Sequence, residues 1–341
     1  MPFGRIVPRT GAVEAQHPGC YACAISSCRR GLFGMKVGVV GAGAVGAASI
    51  MAIIGRGAAH EIVVIDKDIG RVRGLVTDMQ YGTPLCPPVK LIAGDFTDLE
   101  GAELVLIAVG INEKAGGAMD RNDPAGRLRL LGTNADIMRD VVPKIVAVVP
   151  KAVIMIITNP PEPLTALASE LAGHAQVMSS GTYIDTLRFR FYIAKQLEVH
   201  PSDVDAWVVG EHGNSRVLLW SSAQVANTPV LDLVSEDALP GFKSRVEEQV
   251  RNANITIIEG INASQYGIGI ACGRIVEAMT RNEHAVFPLG THLPQYGVTL
   301  AMPVVIGRGG VERVLMPSMA AEERAALKRS AATMRAAMEK M

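Results

Sequence analysis

Short apolar runs separated by longer mixed segments mark the chain from residue 35 onward, and this pattern predicts the fold. Runs rich in Val, Ile and Leu predict buried strands at 36–40, 61–65, 90–93, 104–108, 153–157 and 176–179. The segments between them predict helices at 44–56, 68–80, 125–149 and 161–172. Because alternating strands and helices form βαβ units, this part is predicted to be an α/β domain with a doubly wound parallel sheet.

A different pattern begins near residue 180. The residues predict a helix at 185–197, strands at 204–210 and 217–224, and a long helical region at 241–279 broken near Gly260-Ile261-Asn262. Two further runs, 302–306 and 311–315, predict an antiparallel hairpin, and 320–340 predicts a terminal amphipathic helix. This mixture predicts a second domain of α+β type at 180–341.

The first predicted strand is followed by a glycine-rich turn, Gly41-Ala42-Gly43-Ala44-Val45-Gly46, and then by a helix. Glycines at this spacing permit a tight turn, let the backbone approach a pyrophosphate, and let helix and strand pack closely. The helix N-terminus at Ala44 and Val45 then offers free N–H groups to the phosphates. Asp66 ends the next strand, where a carboxylate can bind ribose hydroxyls and repel a 2′-phosphate. The pattern predicts a Rossmann-type domain over 35–179 that binds NAD rather than NADP.

Composition narrows the class of protein. The 341 residues are 49% hydrophobic and 19% charged, which is enough apolar sequence for a sizeable core. Because the formal net charge is zero, electrostatics gives no reason to expect a nucleic acid or an anionic membrane as a partner. No run reaches the roughly 18 apolar residues of a membrane span. The five cysteines suggest no disulfide framework, so we expect a reducing, cytoplasmic location.

Residues 1–34 differ from the rest of the chain because they show no hydrophobic period. Cys20, Cys23 and Cys28 have spacing that raises the question of zinc, and His17 is the only candidate for the fourth ligand a zinc site usually needs. We interpret this segment as a disordered extension, or as the product of an upstream start with Met35 as the natural one, and predict no metal site.

Two segments of the second part could carry chemistry. His212 lies in Gly210-Glu211-His212-Gly213-Asn214 after a predicted strand, where flanking glycines predict an exposed, mobile side chain able to act as acid or base. Asp185 and Arg188 stand at i and i+3, so a helix places them on one face. Taken singly, these residues are equally compatible with a structural loop histidine and a simple intrahelical ion pair.

Five motifs occur together in one order: the glycine-rich turn at 41–46, Asp66, Thr-Asn-Pro at 158–160, Asp-Thr-Leu-Arg at 185–188 and Gly-Glu-His-Gly at 210–213. In this order and spacing the chain resembles the L-lactate/malate dehydrogenase family over roughly 35–341. The resemblance implies an NAD-dependent L-2-hydroxyacid dehydrogenase that interconverts a small 2-hydroxy acid and a 2-keto acid. It also implies a homodimer or homotetramer.

The resemblance also implies roles for single residues. His212 would give the proton when a 2-keto acid is reduced and take it in reverse, while Asp185 would hold its imidazole. Arg188 would bind the substrate carboxylate through a two-pronged pair. Asn159 would contact the nicotinamide ribose and the substrate, and Ser264 would line the substrate pocket.

A polar, glycine-rich segment at 111–126 follows the strand that ends at Gly110, and we interpret it as a mobile lid. Gly110 and Asn134 are counted among the cofactor-binding residues. In the family the lid carries an arginine that polarises the substrate carbonyl, but this lid is several residues longer than usual. Two arginines are candidates. We favour Arg127, which lies seven residues before Asn134, over Arg121.

Three residues after the strand-end glycine, the family has Gln in lactate enzymes and Arg in malate enzymes. Counting from Gly110 gives Glu113, whose carboxylate would repel a second substrate carboxylate. The sequence therefore favours a lactate-type over a malate-type substrate. Because Arg121 could swing inward instead, malate and a branched, hydroxyisocaproate-type substrate both stay open.

Two other classes of protein share this nucleotide-binding scaffold. An NAD-dependent glycosidase would need a metal site near the nicotinamide, and no Cys/His pair in the sequence is placed to form one. A non-catalytic nucleotide-binding protein would be expected to lose His212 or Arg188, and both are present. The dehydrogenase is the interpretation that uses all five motifs.

Overall fold

The computed structural model describes residues 34–123 and 125–341. Six strands in the first part form the parallel half of the main sheet: β1 Met35–Val40, β2 Ala59–Ile65, β3 Lys90–Ala93, β4 Leu104–Ile107, β5 Val153–Ile156 and β6 Val177–Ser179. The predicted extension, with its three cysteines, lies outside the described residues apart from Gly34.

Four helices connect these strands, and four more follow. They are α1 Ala44–Arg56, α2 Ile69–Gly82, α3 Leu131–Val148, α4 Pro161–Ala172, α5 Tyr183–Leu197, α6 Leu239–Ile261, α7 Tyr266–Thr280 and α8 Ala321–Met338. None of the helices within the described ranges is both long and apolar enough to cross a membrane.

The parallel strands pair in the order β3-β2-β1-β4-β5-β6, which reverses direction between β1 and β4. In a doubly wound sheet, ligands bind at the carboxyl ends of the strands beside this reversal. The predicted fold class, a Rossmann-type sheet followed by an α+β part, is confirmed.

The main sheet has more strands than predicted. The sequence predicted a hairpin at 302–306 and 311–315, but it did not predict the strand that precedes this hairpin. Three antiparallel strands, β12 Ala285–Leu293, β13 Val298–Gly307 and β14 Gly310–Val314, continue the sheet to nine strands. Strand β12 joins β6 where Gly290 pairs with Ser179. Pro288 and Gly290 weaken the local strand signal, and only pairing with the fully buried β13 makes 285–293 a strand.

Several predicted boundaries were wrong where tertiary contacts divide an element. The helix predicted at 125–149 is a 3₁₀ turn at Gly126–Leu130 followed by α3. The strand predicted at 204–210 is two short strands, β7 Val204–Asp205 and β8 Val208–Val209, which pair in different small sheets. The strand predicted at 217–224 is β9 Val217–Leu218, a 3₁₀ turn at Trp220–Ser222, and the start of β10 Gln224–Val225, which pairs with β11 Thr228–Pro229.

Helices α1 and α7 pack closely through small residues. A Cβ placed on Gly269 of α7 would lie 2.7 Å from the backbone carbonyl carbon of Ala48 in α1, and one on Gly273 would lie 2.7 Å from the Cβ of Ala52. Since real Cβ atoms do not approach so closely, these glycines set the distance between the helices. The contact holds α1, which begins at the glycine-rich turn, against the second half of the chain.

We therefore expect Gly269→Ala to lower the free energy of unfolding by about 1–3 kcal/mol, because the added methyl group overpacks the helix contact. Gly260→Ala in α6 is the matched control, since a Cβ there meets no atom within 4 Å. The control is expected to gain up to about 1 kcal/mol from helix propensity. Urea unfolding of both variants measures this, and equal stabilities would contradict the packing argument.

Candidate active site

The glycine-rich turn has the shape that a pyrophosphate needs. Gly41 has a φ of +111°, and a Cβ there would lie 2.6 Å from the backbone nitrogen of Val109. A Cβ on Gly46 would lie 1.9 Å from the Gly41 carbonyl oxygen, whereas one on Gly43 meets nothing within 4 Å. The outer glycines are therefore required by packing, and the middle one leaves open space at the N-terminus of α1, where Ala44 and Val45 follow. This arrangement fits a dinucleotide phosphate.

The carboxylate of Asp66 lies beside this turn. Its Oδ2 accepts a hydrogen bond from the backbone N–H of Ala42 at 2.8 Å, and its Oδ1 accepts one from the backbone N–H of Asp68 at 3.1 Å. The bonds orient the side chain at the end of β2. Each carboxylate oxygen can accept a further bond, so the group suits ribose hydroxyls.

The ends of β4 and β5 are tied together by Asn134, whose side chain is fully buried. Its Oδ1 accepts from the Ile111 N–H at 2.8 Å, and its Nδ2 donates to the Asn159 carbonyl at 2.7 Å. A Cβ on Gly110 would lie 2.9 Å from Asn134 Oδ1, so the strand end leaves no room for a side chain. Asn134 therefore holds the two strand ends together beside Gly110.

His212 and Asp185 form a buried pair in which Nδ1 lies 2.5 Å from Oδ2. The sequence predicted an exposed, mobile histidine, and this was wrong, since only 8% of His212 is exposed and Asp185 is fully buried. The flanking glycines let the loop pass close to its neighbours, and the packing of α5 against β8 covers the pair. The bond at Nδ1 leaves Nε2 as the imidazole nitrogen able to exchange a proton with a ligand.

The other oxygen of Asp185 faces two guanidinium groups. Arg216 Nη1 lies 3.1 Å and Arg188 Nη1 3.3 Å from Oδ1. Burial alone would raise the pKa of Asp185, but Arg216 and His212 hold it well below its usual range. Burial lowers the pKa of His212 to about 4, against the opposing effect of Asp185. Without a ligand, the imidazole is therefore neutral at pH 7 beside an ionised carboxylate.

One cavity of about 100 Å³ connects the two halves of the chain. Arg188 reaches it from α5 and places Nη2 3.4 Å from the hydroxyl of Ser264. The walls of the cavity also include residues from the N-terminus of α1, the end of β5, the lid, the loop after β8 and α6: Val45, Asn159, Glu113, His212 and Asn254. The structure thus brings together the predicted substrate-binding side chains and the predicted acid–base pair.

Arg127 is buried next to the cavity, where it pairs with Glu113. Its Nε lies 3.3 Å from Glu113 Oε1, and both side chains are about nine-tenths buried. The same oxygen accepts from Asn159 Nδ2 at 2.9 Å and from Asn254 Nδ2 at 3.1 Å. Burial would raise the pKa of Glu113, but Arg127 and Asn254 bring it below its usual value, so the group is ionised at pH 7.

Arg121 lies elsewhere. It makes a two-pronged pair with Glu259 of α6 at 2.7 and 2.8 Å, and both side chains are exposed. The inward position considered for Arg121 is not the one in the structure. Of the two lid arginines, only Arg127 bonds to a residue that lines the cavity, Glu113.

Three site residues were missed in the sequence. Arg216 pairs with Asp185, Glu162 accepts the backbone N–H of His212 at 3.0 Å, and Asn254 donates to Glu113. Each of these residues lies in or next to a segment predicted from the sequence. No local pattern shows which distant group it will contact in the folded chain. Within residues 34–123 and 125–341, no group of three or more His, Cys, Asp or Glu side chains is placed to hold a metal ion.

A cavity with an Asp-paired histidine on one wall and the N-terminus of a dinucleotide-binding helix on another fits a nicotinamide-dependent oxidoreductase. Two family models match this chain: the NAD-binding domain of lactate/malate dehydrogenase over residues 35–180, and the alpha/beta C-terminal domain of the same family over 182–341. The chain therefore belongs to the lactate/malate dehydrogenase family, its cofactor is NAD, and it acts on the CH–OH group of its substrate.

Individual proteins agree with this assignment. The L-lactate dehydrogenase of Chloroherpeton thalassium is 41% identical over 309 residues, which are 89% of this chain and 99% of that protein. The L-lactate dehydrogenase of Thermus aquaticus is 40% identical over 312 residues, 89% and 98% of the two chains. The crystal structure of the minor L-lactate dehydrogenase from Enterococcus mundtii, in a ligand-bound form, matches with a TM-score of 0.82 and 31% identity over 90% and 98%.

The buried charge of Asp185 makes Arg216 a critical residue for stability. We expect Arg216→Gln to lower the free energy of unfolding at pH 7 by about 3–5 kcal/mol, because it leaves a buried carboxylate without its main cation. The depressed pKa of Asp185 contributes stability that is present above the unfolded-state value near 4 and lost as the pH falls below it. The defect should therefore stay constant between pH 8 and pH 5 and narrow only as the pH falls below 4.

Arg139→Gln is the control, because Arg139 pairs with Asp136 on the surface and such pairs contribute under about 1 kcal/mol. Urea titrations at pH 3 to 8 compare the two variants. A loss in Arg216→Gln no larger than that in Arg139→Gln would contradict the assigned charge balance.

Proposed function

We propose that this chain is an NAD-dependent L-2-hydroxyacid dehydrogenase of the lactate type. The observation that carries the proposal is the meeting of His212, Asp185 and Arg188 around one cavity that Val45 of the cofactor-binding helix also lines. The curated relatives named above are L-lactate dehydrogenases, which supports the same substrate class.

The side chains divide the chemistry between them. NAD, when bound, accepts or delivers the hydride, and the protein supplies binding, orientation and the proton. His212 donates that proton from Nε2 to the keto oxygen in reduction and takes it from the hydroxyl in oxidation. Asp185 accepts the Nδ1–H bond, which fixes the tautomer and favours the imidazolium form. Arg188 binds the substrate carboxylate, which a planar guanidinium can grip at both oxygens.

Arg127 is proposed as the lid residue that polarises the substrate carbonyl. It is buried and lowers the pKa of both His212 and Arg188 by its charge, so it acts within the same electrostatic field as the proton donor. Its guanidinium is held by Glu113 at 3.3 Å. A guanidinium fixed in a site without bulk water stabilises negative charge that develops on the substrate oxygen.

Glu113 favours substrates with a single carboxylate. It lines the cavity as an ionised group, so the second carboxylate of oxaloacetate or malate would meet a buried charge of the same sign. We therefore place lactate-type substrates before malate. Whether larger 2-keto acids are accepted depends on the space that the lid leaves in the cavity. The four substrates compared below distinguish these cases.

The proposal extends to organisation and assembly. Residues 35–179 would bind NAD and 180–341 would supply His212 and Arg188. Exposed apolar side chains on α1 and α7, among them Met51, Tyr266 and Ile270, support a homodimer or homotetramer. The free cysteines Cys86 and Cys272 are consistent with a cytoplasmic protein.

NADH oxidation with pyruvate, oxaloacetate, 2-oxoisocaproate and phenylpyruvate tests the function directly, with pyruvate expected to exceed oxaloacetate. His212→Asn should lower kcat by at least about 100-fold, the scale of a lost general acid–base, while NADH binding measured by fluorescence persists. The proposed function would be refuted if the wild-type enzyme were inactive on all four acids. It would also be refuted if His212→Asn kept near-normal turnover.

The lid assignment is tested by comparing Arg127→Ala with Arg121→Ala. Loss of a charge aimed at a developing oxyanion lowers kcat by about 100-fold or more, and we expect this for Arg127 alone. Arg121→Ala removes an exposed pair with Glu259, so its effect should stay within a few-fold. Steady-state pyruvate reduction measures both, and the reverse order would place the catalytic arginine at 121.

A further inference from the structure

Glu162 lies in the first turn of α4, two residues after the cis Asn159–Pro160 bond, and is fully buried. Its Oε2 accepts the backbone N–H of His212 at 3.0 Å. The histidine is therefore held at two points. Asp185 fixes its imidazole, and Glu162 fixes its main chain from the other side of the loop.

Unlike Asp185, Glu162 has no cation. Among the described residues no lysine or arginine pairs with it, and its Oε1 has no hydrogen-bond partner at all. Gly290 of β12 faces this oxygen, since a Cβ there would lie 3.7 Å from it. An ionised carboxylate with an unpaired oxygen in the interior is far more costly than a neutral acid in the same place.

The charged groups around Glu162 also oppose its ionisation. Glu211 and Asp185 are both acidic and both raise its pKa, while His212 faces it through a neutral backbone N–H. The Glu211 carboxylate is already satisfied by the Ser215 N–H at 2.9 Å and hydroxyl at 2.5 Å. Burial is the largest effect, and it outweighs the lowering effect of the His212 N–H, so that the pKa of Glu162 is raised to about 8.

We propose that Glu162 is a positioning residue for His212 and that it works at neutral pH as an uncharged carboxylic acid. Its carbonyl oxygen accepts the histidine N–H without adding a third negative charge to the pocket that holds Asp185 and Glu211. The catalytic part of this inference rests on the proposed dehydrogenase function; the protonation state does not.

Protonation has a consequence for stability that needs no substrate. The unfolded chain releases the Glu162 proton near pH 4.5, whereas the folded chain keeps it until about pH 8. The wild type therefore loses stability as the pH rises between these values, and Glu162→Gln has no such proton to lose. The melting temperature of Glu162→Gln relative to wild type should rise by a few degrees from pH 5 to pH 8.

Glu323→Gln is the matched control for removing a buried carboxylate. Glu323 accepts from the Ser221 N–H at 2.9 Å and the Ala320 N–H at 2.8 Å, so both of its oxygens have donors. It should not reproduce the gain with pH. Each variant is compared with wild type at every pH. Any change in melting temperature that the amide causes independently of pH then cancels.

Activity tests the positioning role. Glu162→Leu keeps the approximate volume but leaves the His212 N–H unpaired, so kcat for L-lactate oxidation should fall about ten-fold or more at pH 7 while the KM for NAD changes little. Glu162→Gln retains the acceptor and should recover most of that loss. Above pH 8 the rate of Glu162→Gln relative to wild type should rise. Only the wild-type Glu162 carboxyl ionises there, and its charge favours the imidazolium form of His212, which cannot accept the proton of L-lactate.

The outcomes separate the two claims. A melting-temperature difference that does not change with pH would show that Glu162 is not a neutral acid. Wild-type kcat in Glu162→Leu, or no recovery in Glu162→Gln, would overturn the positioning role. Absence of activity in the wild-type chain on every 2-keto acid would refute the proposed function and the role in it, while the melting experiment would still decide the protonation state.

Discussion

The site depends on the compensation of one buried charge, the carboxylate of Asp185. A fully buried ion is stable only if cations and donors surround it, and here His212, Arg188 and Arg216 all bond to its two oxygens. Arg216 also donates to the carbonyls of Gly213 and Val250. The same charge that orients the imidazole therefore fixes the histidine loop to α5 and α6.

A second carboxylate, that of Glu113, organises the lid in the same way. One oxygen gathers the lid arginine Arg127, the strand-end amide of Asn159 and the helix amide of Asn254. In the proposed function, this one carboxylate bears on substrate choice and also holds the lid arginine. Glu162 differs from both carboxylates because no cation pairs with it in residues 34–123 and 125–341, and its position next to the main chain of His212 suits a neutral acid.

Much of the fold could be predicted from local pattern. The glycine-rich turn, Asp66 and the strand end at Asn159 each carry their signal within a few residues, and all lie at the carboxyl edge of the sheet. Strand β12 could not be predicted, because Pro288 and Gly290 weaken its local preference and its stability comes from pairing with β13 and β6. Exposure of His212 was misjudged because burial depends on α5, not on the adjacent glycines.

By itself, the sequence determined the alternation of strands and helices in the first half and the dinucleotide-binding turn, since these depend on residue type and spacing; the acid–base and anion-binding candidates followed from the family resemblance. Only the tertiary structure showed that Arg127 pairs with Glu113, and that Arg216, Asn254 and Glu162 lie next to these candidates. These last three residues act on partners between 31 and 141 positions away. Such contacts are set by how distant elements pack, and the surrounding charge and burial then decide whether a carboxyl there is ionised.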